Sequence, residues 1–211
     1  STARVGKLMV RREERPWQAR ATVLLDTRAD AHRGDGPGSS FEWAVSALAS
    51  VGVYTARRGY SLRMITDAGV AAGGAELTDE GVLLDHLAEV QVSRNRTLDA
   101  AAGPLRGAEG LGTLIAVVGI LDPEQATLLA STRSPSEISI AVLVDANSWL
   151  GLSPRAQSES DAAYDASAEV LMRAGWRVVR ARHGDRLQEL WPTAGQRPGG
   201  VALGAAPPAQ R

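Results

Sequence analysis

The chain has 211 residues, 44% of them hydrophobic and 22% charged, and a formal net charge of −1. This length supports one α/β domain with a sizeable core, while the near-neutral charge gives no electrostatic basis for binding nucleic acid or an anionic membrane. Cysteine is absent, which excludes a disulfide scaffold and cysteine–zinc sites and fits a reducing compartment; no apolar run reaches the about 18 residues that a membrane span needs, and polar, basic Ser1 to Arg20 does not read as a signal peptide.

Leu8 to Glu14 reads as an extended, mostly polar strand, and Pro16 beyond it points to a sheet edge. The run Ala21-Thr22-Val23-Leu24-Leu25 ending on Asp26 is short, apolar and β-branched, as a buried parallel strand should be. Thr27 to Gly38 contains Gly34, Gly36 and Pro37 and is a loop. Ser39-Ser40-Phe41-Glu42 has capping-box spacing and opens a helix that runs to about Arg58 and stops at Gly59. Phe41, Val45, Leu48 and Val51 share one face of it, widened by Trp43, Ala47 and Tyr54. Tyr60 to Thr66 alternates as a second strand, and a Gly/Ala loop follows from Ala68 to Ala75.

Thr78-Asp79-Glu80 caps a helix with Val82, Leu83, His86, Leu87 and Val90 on its apolar face, and a short helix is expected from Thr97 to Leu105. Gly112 to Leu121 is the strongest strand, apolar on both faces. Asp122-Pro123-Glu124-Gln125 is a helix start with Asp as cap and Pro in the first turn. Ile138 to Val144 is again a buried strand; Ser158 or Ser160 opens a helix ending at Gly175; Trp176 to Ala181 is a last, more polar strand; Asp185 to Trp191 forms a turn or two of helix. From Pro192 onward the composition turns to Pro, Gly and Ala and predicts a disordered tail. The alternation predicts an α/β fold: a doubly wound, mostly parallel sheet with helices on both faces, preceded by an edge strand.

Four apolar runs finish on aspartate: Asp26, Asp67, Asp122 and Asp145. Parallel neighbouring strands would gather these carboxylates at one sheet edge, where open α/β sheets build their sites. That points to a divalent cation, Mg²⁺ or Mn²⁺, or to a site that once held one. Each Asp also has a structural explanation: Asp122 as an N-cap, Asp67 and Asp145 as turn starters, Asp26 as a partner of Arg28. His86 reads as a satisfied core residue, and His32 sits in the loop after Asp26. The five Trp residues show no aromatic–basic interleaving. No P-loop, Gly-x-Gly-x-x-Gly or Gly-x-Ser-x-Gly motif occurs; Gly110-x-Gly112 precedes a strand, the wrong context for pyrophosphate.

Ser1-Thr2-Ala3-Arg4 with Leu8-Met9-Val10-Arg11 resembles the end of the signature of the domain-of-unknown-function 58 family. Arg20 to Thr27, Ser39 to Val45 and Gly59-Tyr60 resemble the start of the von Willebrand factor A-like domain that follows this signature, and the similarity runs from residue 1 to about Trp191. The resemblance divides the chain into residues 1–20 (signature end and edge strand), 21–191 (von Willebrand factor A-like domain) and 192–211 (tail). The chain opens on Ser1 rather than Met and holds only the later half of the signature, so it is expected to be part of a longer protein. The resemblance implies a cytoplasmic domain of a protein anchored in the cytoplasmic membrane by preceding helices. It also implies partnership with a MoxR-type AAA+ ATPase and a non-enzymatic role in assembly or maturation of other proteins.

Von Willebrand A domains often bind Mg²⁺ through Asp-x-Ser-x-Ser after the first strand, completed by a Thr and an Asp from later strand ends. Here Asp26 matches the first position, Arg28 and Asp30 stand where the serines belong, Asp122 matches the later Asp, and Thr66 is a weak match to the Thr. A guanidinium offers no oxygen ligand but replaces a cation electrostatically. The expected metal set is Asp26, Asp30, Ser39 and Asp122, in a degenerate adhesion-type site. The expected partner-binding set is Asp26, Arg28, Asp30, His32, Ser40 and Asp67. On this reading Asp26→Ala leaves the fold intact and weakens partner capture. The alternative is a metal-dependent phosphoester hydrolase using the same carboxylates, and a third reading is a purely structural domain.

Overall fold

The computed structural model describes residues 19–70, 79–106 and 112–194. The strand expected at Leu8 to Glu14 lies outside these residues, as does most of the Gly/Ala loop. Six strands form one sheet in the order β3-β2-β1-β4-β5-β6. They are β1 (Arg20–Leu25), β2 (Ser61–Thr66), β3 (Gly69–Val70), β4 (Gly112–Val118), β5 (Ile138–Val144) and β6 (Arg177–Ala181). All neighbours pair parallel except β2 and β3. The result is a mostly parallel α/β sheet bearing helices, consistent with a doubly wound fold.

Alternation along each strand sends side chains to two separate cores. Val23, Leu25, Ile115, Val117, Val142 and Val144 face one side, where they meet Ala44, Leu48 and Val51 of α1 (Ser40–Arg57), Leu83 and Leu87 of α2 (Glu80–Glu89), and Ala194 of α6 (Leu187–Ala194). Leu24, Leu114, Ala116, Val118 and Leu143 face the other side. There they meet Ala101 and Leu105 of α3 (Asp99–Arg106), Ala126 and Leu129 of α4 (Pro123–Ala130), and Ala168 and Leu171 of α5 (Pro154–Arg173). The central strands are apolar on both faces because both faces are covered.

The caps follow the sequence chemistry. Ser39 Oγ accepts the Glu42 N–H at 3.2 Å and Asp122 Oδ1 accepts the Gln125 N–H at 2.7 Å, each satisfying an orphan donor of a first turn. Helix α1 stops where Gly59 takes φ +82°, a left-handed conformation open to glycine.

Several expectations are corrected. Gly69–Val70 is a two-residue antiparallel strand rather than loop; it is too short to carry a pattern. Tyr54 is 51% exposed rather than part of the apolar face of α1, with the Arg58 guanidinium 4.5 Å over its ring. In α2 only Leu83 and Leu87 are buried and Val82 is exposed, because α2 packs mainly on α1 and turns only a narrow stripe inward. His86 is half-buried, not a core residue, and its Nδ1–H donates to the Val82 carbonyl at 2.8 Å. Helix α5 starts at Pro154 with Ser153 as cap, a full turn before Ser158. Helix α6 continues through Pro192 to Ala194, which is 2% exposed; the remainder of the expected tail lies outside the described residues.

Candidate functional site

Strand order reverses at β1: the chain passes from β1 to β2 on one side, and β4, β5 and β6 lie on the other. The crevice at the carboxyl ends of β1 and β4 is the topological switch point at which open α/β sheets bind ligands. Asp26, the residue after β1, extends the ladder by donating its N–H to the Val117 carbonyl at 3.0 Å. Its side chain is 0% exposed.

Every acceptor position of that carboxylate is taken. Oδ1 accepts the Arg28 backbone N–H at 3.1 Å and Arg28 Nε at 2.9 Å. Oδ2 accepts Arg28 Nη2 at 2.8 Å and the Gly119 N–H at 3.2 Å. A carboxylate offers about four lone-pair sites, so none is left. The guanidinium is itself held by carbonyls: Nη2 donates to Ile120 at 3.0 Å and Nη1 to Arg96 at 3.3 Å. Arg28 is 4% exposed. Burial works against its charge, but the Asp26 hydrogen bonds and the fields of Asp26, Asp67 and Asp122 outweigh that, and its pKa is raised. Arg28 is therefore a permanent cation fixed between the ends of β1 and β4. Gly119 permits the closure, because a Cβ there would lie 2.2 Å from the Ala31 carbonyl oxygen.

Beside this pair sits a second sealed carboxylate. Asp67, 0% exposed, accepts the Thr27 N–H at 2.9 Å and the Thr27 hydroxyl on Oδ1. Its Oδ2 accepts Ser93 Oγ at 2.5 Å and Asn95 Nδ2 at 3.0 Å. Burial pushes its pKa up, but the donors from Ser93, Thr27 and Asn95 prevail and the net shift is downward. Ser93 also exchanges backbone bonds with β1's extension, donating to Thr27 O at 2.6 Å and accepting from Ala29 N at 3.0 Å. The segment before α3 is thereby strapped across the strand ends.

His32 forms the third buried element. Its Nε2 lies 2.8 Å from the Asp26 carbonyl, which can only accept, so Nε2 carries the proton. Its Nδ1 then accepts from Ser40 Oγ at 3.3 Å, and Ser40 Oγ accepts the Arg33 N–H at 2.8 Å. The neutral ring is fully satisfied. Burial, with the charges of Arg28 and Arg33, lowers its pKa against the opposing pull of Asp26.

The expected metal set divides accordingly. Asp26 is saturated, Ser39 caps α1, and Asp122 is exposed and caps α4. Asp30 is exposed and pairs with Arg96 Nε at 3.2 Å. Thr66 accepts the Ala68 N–H at 3.3 Å, and it is Thr27 that engages Asp67. These residues do not fit Mg²⁺ or Mn²⁺, which need free oxygen ligands; among the described residues no cluster of three His, Asp or Glu is placed to hold an ion. Of the expected partner-binding set, Asp26, Arg28, His32, Ser40 and Asp67 are buried and only Asp30 is exposed. Sequence reasoning missed Thr27, Ser93, Asn95 and Gly119. Only Thr27, adjacent to Asp26, carried any signal. No helix among the described residues is long and apolar enough to cross a membrane. No protein-family model matches the chain, and no curated protein matches it.

Proposed function

We propose that this chain is a von Willebrand factor A-like interaction module of the domain-of-unknown-function 58 type, whose strand-end face captures a protein partner without a metal ion. The sheet order with its antiparallel edge strand and the acidic switch point support the resemblance seen in the sequence. The observation that carries the reading is the Asp26–Arg28 pair: the cation of an adhesion-type site is supplied by the chain itself and locked by four carbonyl or carboxylate contacts through its guanidinium. The face then recognises a partner through its rim, where Asp30 and Arg96 keep side chains 66% and 84% exposed. The proposed partner is a MoxR-type AAA+ ATPase, and the proposed setting is assembly or maturation near a membrane, reached through a segment outside this chain. Metal-dependent phosphoester hydrolysis is the weaker reading: two ions about 4 Å apart require bare carboxylate oxygens, and those of Asp26 and Asp67 are engaged.

The test is capture of a MoxR-type ATPase by the immobilised chain. Exchanging Asp30→Lys with Arg96→Glu keeps an ion pair but inverts the charges offered to a partner. Capture is expected to weaken about tenfold, or about 1.4 kcal/mol. The same exchange at Arg57 and Glu80, an exposed pair elsewhere, is expected to change nothing. Equal capture by all three proteins would overturn the assignment of the face.

A further inference from the structure

One strand away from the Arg28 site, the ends of β4 and β5 and the first half of α5 enclose a small pocket of about 40 Å³. Its polar lining is Asp145, Asn147, Ser160, Tyr164 and Ser167. Asp145 is 2% exposed, and among the described residues its Oδ2 finds no hydrogen-bond donor. Among the described residues the cation paired with Oδ2 is Arg182, its Nε at 3.4 Å, but Arg182 is half-exposed and its Nη2 is drawn to Asp161 at 2.9 Å. This leaves a buried oxygen of a pocket-lining carboxylate with an incomplete partner, a costly state for a buried acceptor.

Two of the hydroxyls around it, those of Tyr164 and Ser167, have spent their protons elsewhere. Tyr164 Oη donates to the Leu143 carbonyl at 2.7 Å, and Ser167 Oγ donates to the carbonyls of Leu121 and Ala163, each at 3.1 Å. Ser160 Oγ accepts from Asn147 Nδ2 at 2.9 Å. Tyr164 and Ser167 therefore retain only lone pairs beside a negative charge, so the pocket complements a donor-rich cation. Its volume exceeds the about 10–15 Å³ that one water needs and is far below the about 300 Å³ of a drug-sized ligand site.

We propose that the Asp145 pocket receives a primary ammonium group, the tip of a partner's lysine side chain or a small free amine. An ammonium brings three N–H donors and no acceptor, the complement of the Asp145, Tyr164 and Ser167 oxygens in this lining. It completes the Oδ2 coordination that Arg182 reaches only at 3.4 Å. Burial raises the Asp145 pKa against the pull of Arg182; a bound ammonium reverses that balance. The site does not depend on the identity of the partner proposed above.

The experiment is thermal unfolding and calorimetric titration of the chain with n-butylammonium chloride, ammonium chloride and a lysine-containing tripeptide. Sodium, tetramethylammonium and magnesium chlorides serve as controls at matched ionic strength. The amines are expected to bind and raise Tm while tetramethylammonium, which has no N–H, does not. Asp145→Asn, which keeps the shape, is expected to weaken binding by at least about tenfold, as loss of a charged hydrogen-bond partner does. Ala163→Leu, on the exposed side of α5, fills the mouth with the carboxylate intact and is expected to do the same. Tighter binding of the tripeptide than of butylammonium identifies a lysine side chain as the ligand; the reverse order identifies a free amine. Equal response to tetramethylammonium, a response to magnesium alone, or undiminished binding by both variants would overturn the proposal.

Discussion

Arg28 closes both oxygens of the Asp26 carboxylate from only two residues away, through its backbone N–H, its Nε and its Nη2. Both side chains are almost wholly buried. Such a pair contributes little net stability over apolar replacements, but removal of one member strands the other charge. Asp26→Ala and Arg28→Ala are each expected to destabilise the fold by about 3–5 kcal/mol in urea unfolding. The double replacement Asp26→Leu/Arg28→Leu is expected to cost clearly less than the sum. This reverses the sequence-based expectation that Asp26→Ala leaves the fold intact, which treated Asp26 as a surface ligand. Additive losses would show that the two groups are not coupled.

Asp26 was legible as a site residue because an apolar β-branched run ends on it and no helix starts after it. The caps Ser39 and Asp122 were legible because capping is local chemistry read over three residues. The partners of Asp67 were not, since Ser93 and Asn95 lie 26 and 28 residues away in a segment without periodicity. Strand β4 ends at Val118 rather than Leu121, because Gly119 and Ile120 turn to meet Asp26, Arg28 and Ala31. That is a tertiary demand which an apolar run does not reveal. The Ser153-Pro154 start of α5 carries the same cap-and-proline signal as Asp122-Pro123.

Gly119→Ala tests the closeness of that turn. A Cβ would sit 2.2 Å from the Ala31 carbonyl oxygen, a backbone atom that cannot swing away. A loss of about 1–3 kcal/mol is expected, measured as a fall in denaturation midpoint. Gly151→Ala, with nothing within 4 Å, is the control and is expected to be near neutral. Equal effects at the two positions would contradict the close approach.

The buried acid–base groups give the fold an acid limit in two stages. The His32 pKa is lowered on folding, chiefly by burial. Its contribution is complete above the unfolded value near 6.5 and is lost as pH falls from there through the lower folded value. Asp67, also lowered, contributes above its unfolded value near 3.8, and that contribution is lost as pH falls through the folded one. Proton NMR titration of the His32 ring is expected to give a midpoint below 6.5, with stability declining over the same range. A midpoint at or above that value would contradict the neutral, Nε2-protonated assignment.

On the proposed function, Arg28 stands where an adhesion-type site would hold a metal. Thermal unfolding of the chain in EDTA, then in millimolar Mg²⁺ or Mn²⁺, tests it most directly. An ion that binds only the native state raises stability by about 2.7 kcal/mol at a hundredfold excess over its dissociation constant. Since both Asp26 oxygens are saturated by protein donors, the transition is expected to stay in place with either ion. An upward shift that disappears in Asp26→Asn protein would contradict the account.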